Sequence, residues 1–259
     1  MNTVWAISTV VIKELYRRKD FYVLLVLTTL LTLAAGSMSF FNENTIVRAL
    51  KEICLLLIWI SSLIIGITTA ARQIPSEKEN RTIFPLLAKP VTRWQVVLGK
   101  FLGCWLACGI TLIVFYVFFG ILVGAREHTL PVAAFAKLMW MQWVALGVVV
   151  ALALLGSVVL SAPGPNATLC FIVVLGVTFV GPHLGKVSVG LTEPAGTLLY
   201  SIYFLIPHLE WYDLRDIFIN DQILPGNAAC FMATFYAAAY ATLLLVLTWA
   251  RFRRQNLNT

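Results

Sequence analysis

Long apolar runs separated by short polar segments make up most of the chain. Six of these runs approach the length of about 20 apolar residues that an α-helix needs to cross a bilayer. They are Phe21–Phe41, Ile53–Ala71, Lys100–Gly124, Leu138–Leu160, Ala167–Gly185 and Ala228–Ala250. The fifth run is the weakest, because Pro182 and His183 interrupt its outer end. The pattern therefore predicts an all-α membrane protein with six transmembrane helices.

The N-terminal segment Thr3–Lys19 has helical periodicity but is not apolar enough to span. Lys13 and Arg17 fall on one side of the predicted helix, and the opposite side carries Val4, Ile7, Val11 and Leu15. This pattern is typical of an amphipathic helix lying on a membrane surface, with its basic side toward anionic head groups. We predict an amphipathic elbow helix over residues 1–20, with a cytoplasmic extension of the first span as the alternative.

Two connections between the predicted spans have their own patterns. Ser161–Asn166 contains two prolines and a glycine, which predicts a tight turn and nothing more. Gly196–Leu209 is apolar but too short to span, and Pro207 lies near its end. We expect this stretch to form a re-entrant or interfacial helix between the fifth and sixth spans.

Composition supports a membrane environment. Of 259 residues, 60% are hydrophobic and only 12% are charged, whereas a soluble domain has about 25% charged residues. The net charge of +7 comes from short clusters between apolar runs, which argues against a nucleic-acid partner and makes membrane lipid the expected surroundings. All five cysteines lie inside apolar runs, so we expect packing residues rather than disulfides or metal ligands.

The positions of lysine and arginine predict the orientation of the chain. With the N-terminus inside, thirteen of the nineteen basic residues lie on the cytoplasmic side. Because short cytoplasmic loops carry an excess of Lys and Arg, we predict that both termini are cytoplasmic. The expected location is the bacterial cytoplasmic (inner) membrane, with multiple passes.

The apolar cores of the predicted spans contain no Asp, Glu, Lys, Arg or His. Transporters driven by protons or ions need ionisable groups at membrane depth, so energy for any transport is expected to come from outside these spans. No zinc-protease motif or serine-hydrolase elbow is present in them either. We therefore expect no catalytic residue, metal or cofactor in this chain.

The predicted cytoplasmic loop Arg72–Gly99 carries the most informative local pattern. Ser76–Glu79 and Thr92–Gln95 both have the spacing of a capping box, which predicts two helix starts, the second running into the third span. Between these two boxes, Pro85 and Pro90 delimit a short rigid element. It includes an apolar stretch that we expect to be exposed, formed by Ile83, Phe84, Leu86 and Leu87. A partner that covers this apolar stretch could transmit a displacement through the element to the membrane helices.

This loop contains six features in order and at set spacing: a glutamate, a threonine, an apolar pair, a proline, an arginine and a glycine–lysine pair. The positions are Glu79, Thr82, Leu86-Leu87, Pro90, Arg93 and Gly99-Lys100. This pattern resembles that of ABC-2-type transporter permeases, and the chain is similar to the nitrous-oxide-reductase maturation and gliding-motility permeases. One position departs from the family, because Arg81 stands where a glycine often precedes the threonine.

The resemblance implies the membrane subunit of an ATP-binding-cassette exporter. It implies one six-helix domain over residues 21–259, with a coupling helix in loop 72–99 and an external loop over 186–227. Two copies are expected to pair and to bind two separate ATP-binding subunits, which hold ATP and Mg²⁺, since this chain has no phosphate-binding loop motif. The implied partner-coupling residues are Glu77, Glu79, Arg81, Thr82, Phe84, Leu86, Leu87, Pro90, Arg93, Gly99 and Lys100. The alternative is a non-transporting anchor or scaffold for another protein.

The external loop Lys186–Asn227 is acidic and rich in aromatic residues. Aromatic side chains favour the membrane interface. We expect an external gate, or a docking site for an extracytoplasmic partner, formed by His208, Glu210, Trp211 and Asp213. A solvated cap on the dimer is the alternative.

Overall fold

The computed structural model describes residues 2–17, 22, 26, 29–30, 43–79, 92–127, 131–160, 162–192 and 194–254. Over these ranges the chain is helical and contains no strand. The helices are α1 (Asn2–Arg17), α2 (Glu43–Arg72), α3 (Pro75–Glu79), α4 (Arg93–Glu127), α5 (Val132–Val159), α6 (Pro163–Gly190), α7 (Ala195–Leu205), α8 (Arg215–Ile219) and α9 (Asn227–Arg254). A 3₁₀ turn over Leu209–Tyr212 lies between α7 and α8.

Five helices in the described ranges are long and apolar enough to cross a membrane. They cover Arg48–Glu77, Arg93–Gly124, Val132–Val159, Pro163–Ser188 and Asn227–Arg254, and they match the second to sixth predicted spans. The first predicted span, Phe21–Phe41, lies almost entirely outside the described residues. The count of six and the cytoplasmic location of both termini therefore stay predictions.

Helix α5 lies at the centre of the bundle and packs on α2, α4, α6 and α9. Its contact with α4 is a reciprocal pair of tryptophans, Trp105 and Trp143, whose rings stack 4.5 Å apart. Each indole Nε1 donates to the backbone carbonyl of the other tryptophan, at 2.9 Å in both cases. Gly109 and Gly147 make room for these rings, since a Cβ on either would meet an indole at 2.7 and 3.1 Å. Small residues thus let two membrane helices approach closely.

A chain of neutral polar groups connects three of the spans. The Tyr116 hydroxyl donates to Gln142 Oε1 at 2.8 Å, and Gln142 Nε2 donates to Ser62 Oγ at 2.9 Å. These bonds join α4, α5 and α2 among buried side chains, where an unpaired amide is costly.

Helix α6 differs from the prediction at both of its ends. It continues through Pro182 to Gly190, so the expected interruption at Pro182 and His183 is wrong. It begins at Pro163, and the expectation of a simple turn over Ser161–Asn166 is also wrong. Asn166 is fully buried and its Nδ2 donates to the Ala153 carbonyl at 3.1 Å. Its side chain occupies the space that a Cβ on Gly156 would need, so this residue closes the contact between α5 and α6.

All five cysteines are free and buried. Helix α7 packs on α6 and exposes a row of apolar side chains, Leu198, Phe204 and Leu205. This exposure agrees with the interfacial character expected of the stretch Gly196–Leu209. The choice between a re-entrant and an interfacial helix stays a prediction.

Candidate functional site

The first turns of α4, residues 93–103, contact three other parts of the chain and are called the α4 junction here. Helix α1 packs along them, the end of α2 and the short α3 reach them from a second side, and the end of α9 reaches them from a third. Four of the predicted partner-coupling residues, Glu77, Arg93, Gly99 and Lys100, meet at this junction.

The start of α4 is held by its predicted capping box. The Thr92 amide donates to Gln95 Oε1 at 2.9 Å, and the Gln95 amide donates to Thr92 Oγ1 at 3.3 Å. Two of the amides that a helix start leaves without an internal partner are thereby satisfied. The prediction of a helix restart at Thr92 is confirmed, and α4 has a defined beginning.

Lys100 joins α4 to the end of α2 and to α3. Its side chain is buried, with 2% of the residue exposed. The Nζ donates to the Gln73 carbonyl at 2.9 Å, to Gln73 Oε1 at 3.2 Å and to Glu77 Oε1 at 2.7 Å. Three acceptors, one of them a carboxylate oxygen, offset the cost of removing the ammonium from water. Lys100 is thus used within the chain and is not displayed on its surface.

The first predicted capping box, Ser76–Glu79, is wrong. Helix α3 begins at Pro75, so Ser76 is already inside its first turn. The Ser76 hydroxyl donates to the Arg72 carbonyl at 2.6 Å and does not accept from a backbone amide. Proline suits the first helical position because that position needs no amide donor. Glu77 is turned toward Lys100, and Glu79 is exposed at the end of α3.

Arg93 joins the start of α4 to the end of α9. Its Nη1 donates to the carbonyls of Phe252 and Arg253, at 2.7 and 2.8 Å. The guanidinium also lies over the Phe252 ring, 5.5 Å from its centroid. Beside it, Trp94 meets Trp249 edge to face at 6.1 Å. The α4 junction is therefore attached to the last helix of the chain.

Helix α1 packs on the other side of the α4 junction. The Ser8 hydroxyl donates to the Gly99 carbonyl at 2.9 Å. A Cβ on Gly99 or Gly103 would lie 2.8 Å from Ile7 or 2.7 Å from Val11, so only glycine permits this approach. The apolar side of α1 is therefore used against α4, while Lys13 and Arg17 are exposed as predicted. The placement of α1 on a membrane surface stays a prediction.

The remaining predicted coupling residues lie outside the described ranges. They are Arg81, Thr82, Phe84, Leu86, Leu87 and Pro90. Three described contributors were missed by the sequence analysis: Ser8, Gln73 and Phe252. Gln73 and Phe252 lie at the ends of apolar runs, where a polar or aromatic residue is ordinary, so only the fold reveals their roles.

The predicted external residues form two separate clusters. His208 Nδ1 lies 3.1 Å from Glu210 Oε1, and the His208 ring packs on Trp211 and Tyr203, with centroids 4.7 and 4.5 Å away. Asp213 belongs to the second cluster. Its carboxylate receives Arg215 Nε and Nη2 at 2.7 and 2.6 Å. The Arg215 guanidinium also lies 4.5 Å from the centroid of the Trp59 ring on α2.

A small cavity of about 40 Å³ lies between this second cluster and the membrane helices. Its polar lining includes Ser62, Gln142 and Arg215. At roughly 10–15 Å³ per water, it has room for about three waters. Nearby, the buried Tyr212 hydroxyl donates to the Ala233 carbonyl at 2.7 Å, and burial raises the pKa of Tyr212. The segment from Leu209 to Ile219 thus closes one end of the bundle by polar and apolar contacts.

Comparison with known protein families gives one match that covers nearly the whole chain. A family model described as ABC-2 family transporter protein matches residues 9–257. No curated protein matches the chain significantly. The matched range includes the α4 junction, both external clusters and the five described spans.

Proposed function

The chain belongs to the ABC-2 family of transporter proteins, and we propose that it is the permease subunit of an exporter powered by separate ATP-binding subunits. Family membership makes it a multi-pass membrane protein and a transport subunit that works with an ATP-binding partner. The proposal adds the outward direction, two ATP-binding subunits, a second permease copy, and a coupling role for loop 72–99.

The α4 junction is the observation that supports the coupling role most strongly. The predicted partner-facing loop is anchored on both sides, by Glu77 at its start and by the capping box of Thr92 at its end. Both anchors end on the same stretch of α4. A force applied to the loop therefore has a short, bonded route into a helix of 35 residues.

The energy source in this proposal lies on the partner. The five described spans have few charged residues in their apolar windows, which offers a coupled ion few charged groups at membrane depth. ATP and Mg²⁺ would be held by the ATP-binding subunits, whose closure would displace loop 72–99. The external clusters around His208 and Asp213 would then act as the outer gate of the pathway, or as a docking site for an extracytoplasmic protein.

Co-purification and ATPase measurements test the proposal. The chain is expressed with the ATP-binding-cassette protein encoded nearest to it, and the complex is reconstituted into liposomes. We expect Leu86→Glu to abolish co-purification, since a carboxylate opposes burial of the apolar stretch under a partner. Leu205→Glu is the matched control, because Leu205 is an exposed leucine on α7, away from the α4 junction.

The ATPase rate separates a transporter from a scaffold. A permease is expected to change the rate of the partner by several fold when the two are reconstituted together. If a stable complex forms but hydrolyses ATP at the rate of the isolated partner, the chain is an anchor and the proposed function is wrong.

A further inference from the structure

We propose that Arg93 is a positioning residue that transmits movement of the partner-facing loop into the last transmembrane helix, α9. The inference rests on the proposed function and deepens it. It assigns Arg93 to a contact within the chain, whereas the sequence pattern had placed this residue among those that face the ATP-binding partner.

Arg93 acts as a side-chain cap on the last described turn of α9. Basic side chains near the C-terminus of a helix can bond to carbonyls of its last turns. The carbonyls of Phe252 and Arg253 lie in that turn, and the helix is described to Arg254. One nitrogen of Arg93 donates to both of them, at 2.7 and 2.8 Å. Charge-assisted bonds of this kind are roughly twice as strong as neutral ones.

The charge of Arg93 is not favoured by its own helix. It is the first residue of α4, where the helix dipole is positive and a cation is unfavourable. The C-terminus of α9 is negative, so the same charge stabilises that helix. An arginine at this position is therefore explained by the neighbouring helix end and not by its own helix.

The contact is reinforced on both sides. Phe252, beneath the guanidinium, has 1% of its surface exposed. Trp94, the next residue along α4, packs edge to face on Trp249. The start of α4 and the last turn of α9 therefore share bonds, a cation–π contact and an aromatic pair, and they are expected to move together.

Farther along, α9 packs on α5 through one side and leaves its other side open. Its outward side chains, among them Phe231, Met232 and Phe235, are exposed. Among the described residues, a tilt of α9 is therefore opposed mainly by its contact with α5. Displacement of the α4 start would then tilt α9 through Arg93, which gives the last span a direct part in the transport cycle.

Hydrogen exchange measured by mass spectrometry tests the capping role first. The chain alone in lipid nanodiscs is compared with Arg93→Gln, Arg93→Lys and the control Arg251→Gln, whose arginine is exposed in the same last turn. We expect Arg93→Gln to speed exchange in the last turn of α9 about tenfold, Arg93→Lys to give a smaller increase, and Arg251→Gln little change. Equal exchange in Arg93→Gln and the unsubstituted chain would overturn the capping role.

The transmitting role is tested in the complex with the ATP-binding subunit, with and without a non-hydrolysable ATP analogue. In the unsubstituted complex we expect the analogue to change the rate of hydrogen exchange both at the start of α4 and at the end of α9. In Arg93→Gln the change at α4 should persist and the change at α9 should be lost, with partial recovery in Arg93→Lys. A merely structural cap would alter basal exchange without removing the nucleotide effect.

Three outcomes separate the two proposals. If the analogue changes exchange nowhere in the unsubstituted complex, the proposed function fails and the transmission fails with it. If it changes exchange at α4 but not at α9, the proposed function stands and the link is wrong. If the change at α9 persists in Arg93→Gln, the link runs through other residues and the inference is overturned.

Discussion

The ion pair between Lys100 and Glu77 gives the sharpest test of the α4 junction. Lys100→Met removes three hydrogen bonds, one of which is also the ion pair with Glu77. Breaking a buried pair in this way costs about 3–5 kcal/mol. Since 22% of the Glu77 side chain is exposed, water relieves part of the loss, and we expect a cost of about 2–3 kcal/mol.

A double-mutant cycle isolates the pair. Glu77→Gln alone leaves a buried ammonium with only neutral acceptors, and the variant carrying both substitutions has no unpaired charge. We therefore expect the double variant to be more stable than the sum of the single costs predicts, by about 1–2 kcal/mol. Lys186→Met is the control, because Lys186 is an exposed lysine near the end of α6.

The measurement is the free energy of unfolding, from SDS titrated into the protein in a mild detergent and followed by far-ultraviolet circular dichroism. The reasoning is refuted if Lys100→Met costs no more than Lys186→Met. Strict additivity of the two single costs would also refute it, since additive sites do not interact.

Three further predictions concern the rest of the fold. Gly109→Ala should displace the Trp143 ring, which a Cβ would meet at 2.7 Å, and destabilise the bundle by about 2 kcal/mol in the same SDS titration. Gly176→Ala is the control and should be neutral or stabilising, because a Cβ there meets nothing within 4 Å. Arg215→Met should remove the ion pair with Asp213 and speed proteolysis of the segment between α7 and α9. Unchanged cleavage would contradict the conclusion that this segment closes one end of the bundle. Burial raises the pKa of Tyr212 above its value in the unfolded chain. The stability that the neutral Tyr212 hydroxyl contributes is therefore present below about pH 10 and falls as the pH rises further. Tyr212→Phe should flatten the loss of helicity between about pH 10 and pH 11.

Local sequence signals predicted those features that depend on neighbours along the chain. The spans follow from apolar length, and the restart of α4 follows from Thr92 and Gln95, whose two bonds span only three residues. The box at Ser76 has the same spacing but fails, because Pro75 begins the helix one residue earlier and places Ser76 inside the first turn. There the Ser76 hydroxyl donates to the Arg72 carbonyl, so it does not serve as a cap.

Contacts between the spans could not be predicted from the pattern of hydrophobic and polar residues, for a different physical reason. Gln142, Tyr116 and Ser62 are each unremarkable on an apolar helix, and their meeting depends on how three helices rotate against one another. The same holds for Asn166, which has the residue type of a turn but fills the space beside Gly156. Helix rotation is set by packing, which hydrophobic length does not encode.

The length of α4 explains how the two ends of the molecule can act together. At 35 residues it extends about 52 Å, well beyond the 30 Å of a bilayer core. One end carries the α4 junction. Toward the other end, Phe119 packs on Phe135 at 5.1 Å, and Phe135 packs on Phe218 of α8 at 5.2 Å. Because a continuous helix resists bending, we expect a displacement at Arg93 to reach the segment that closes the opposite end, without a charged group inside the membrane to carry it.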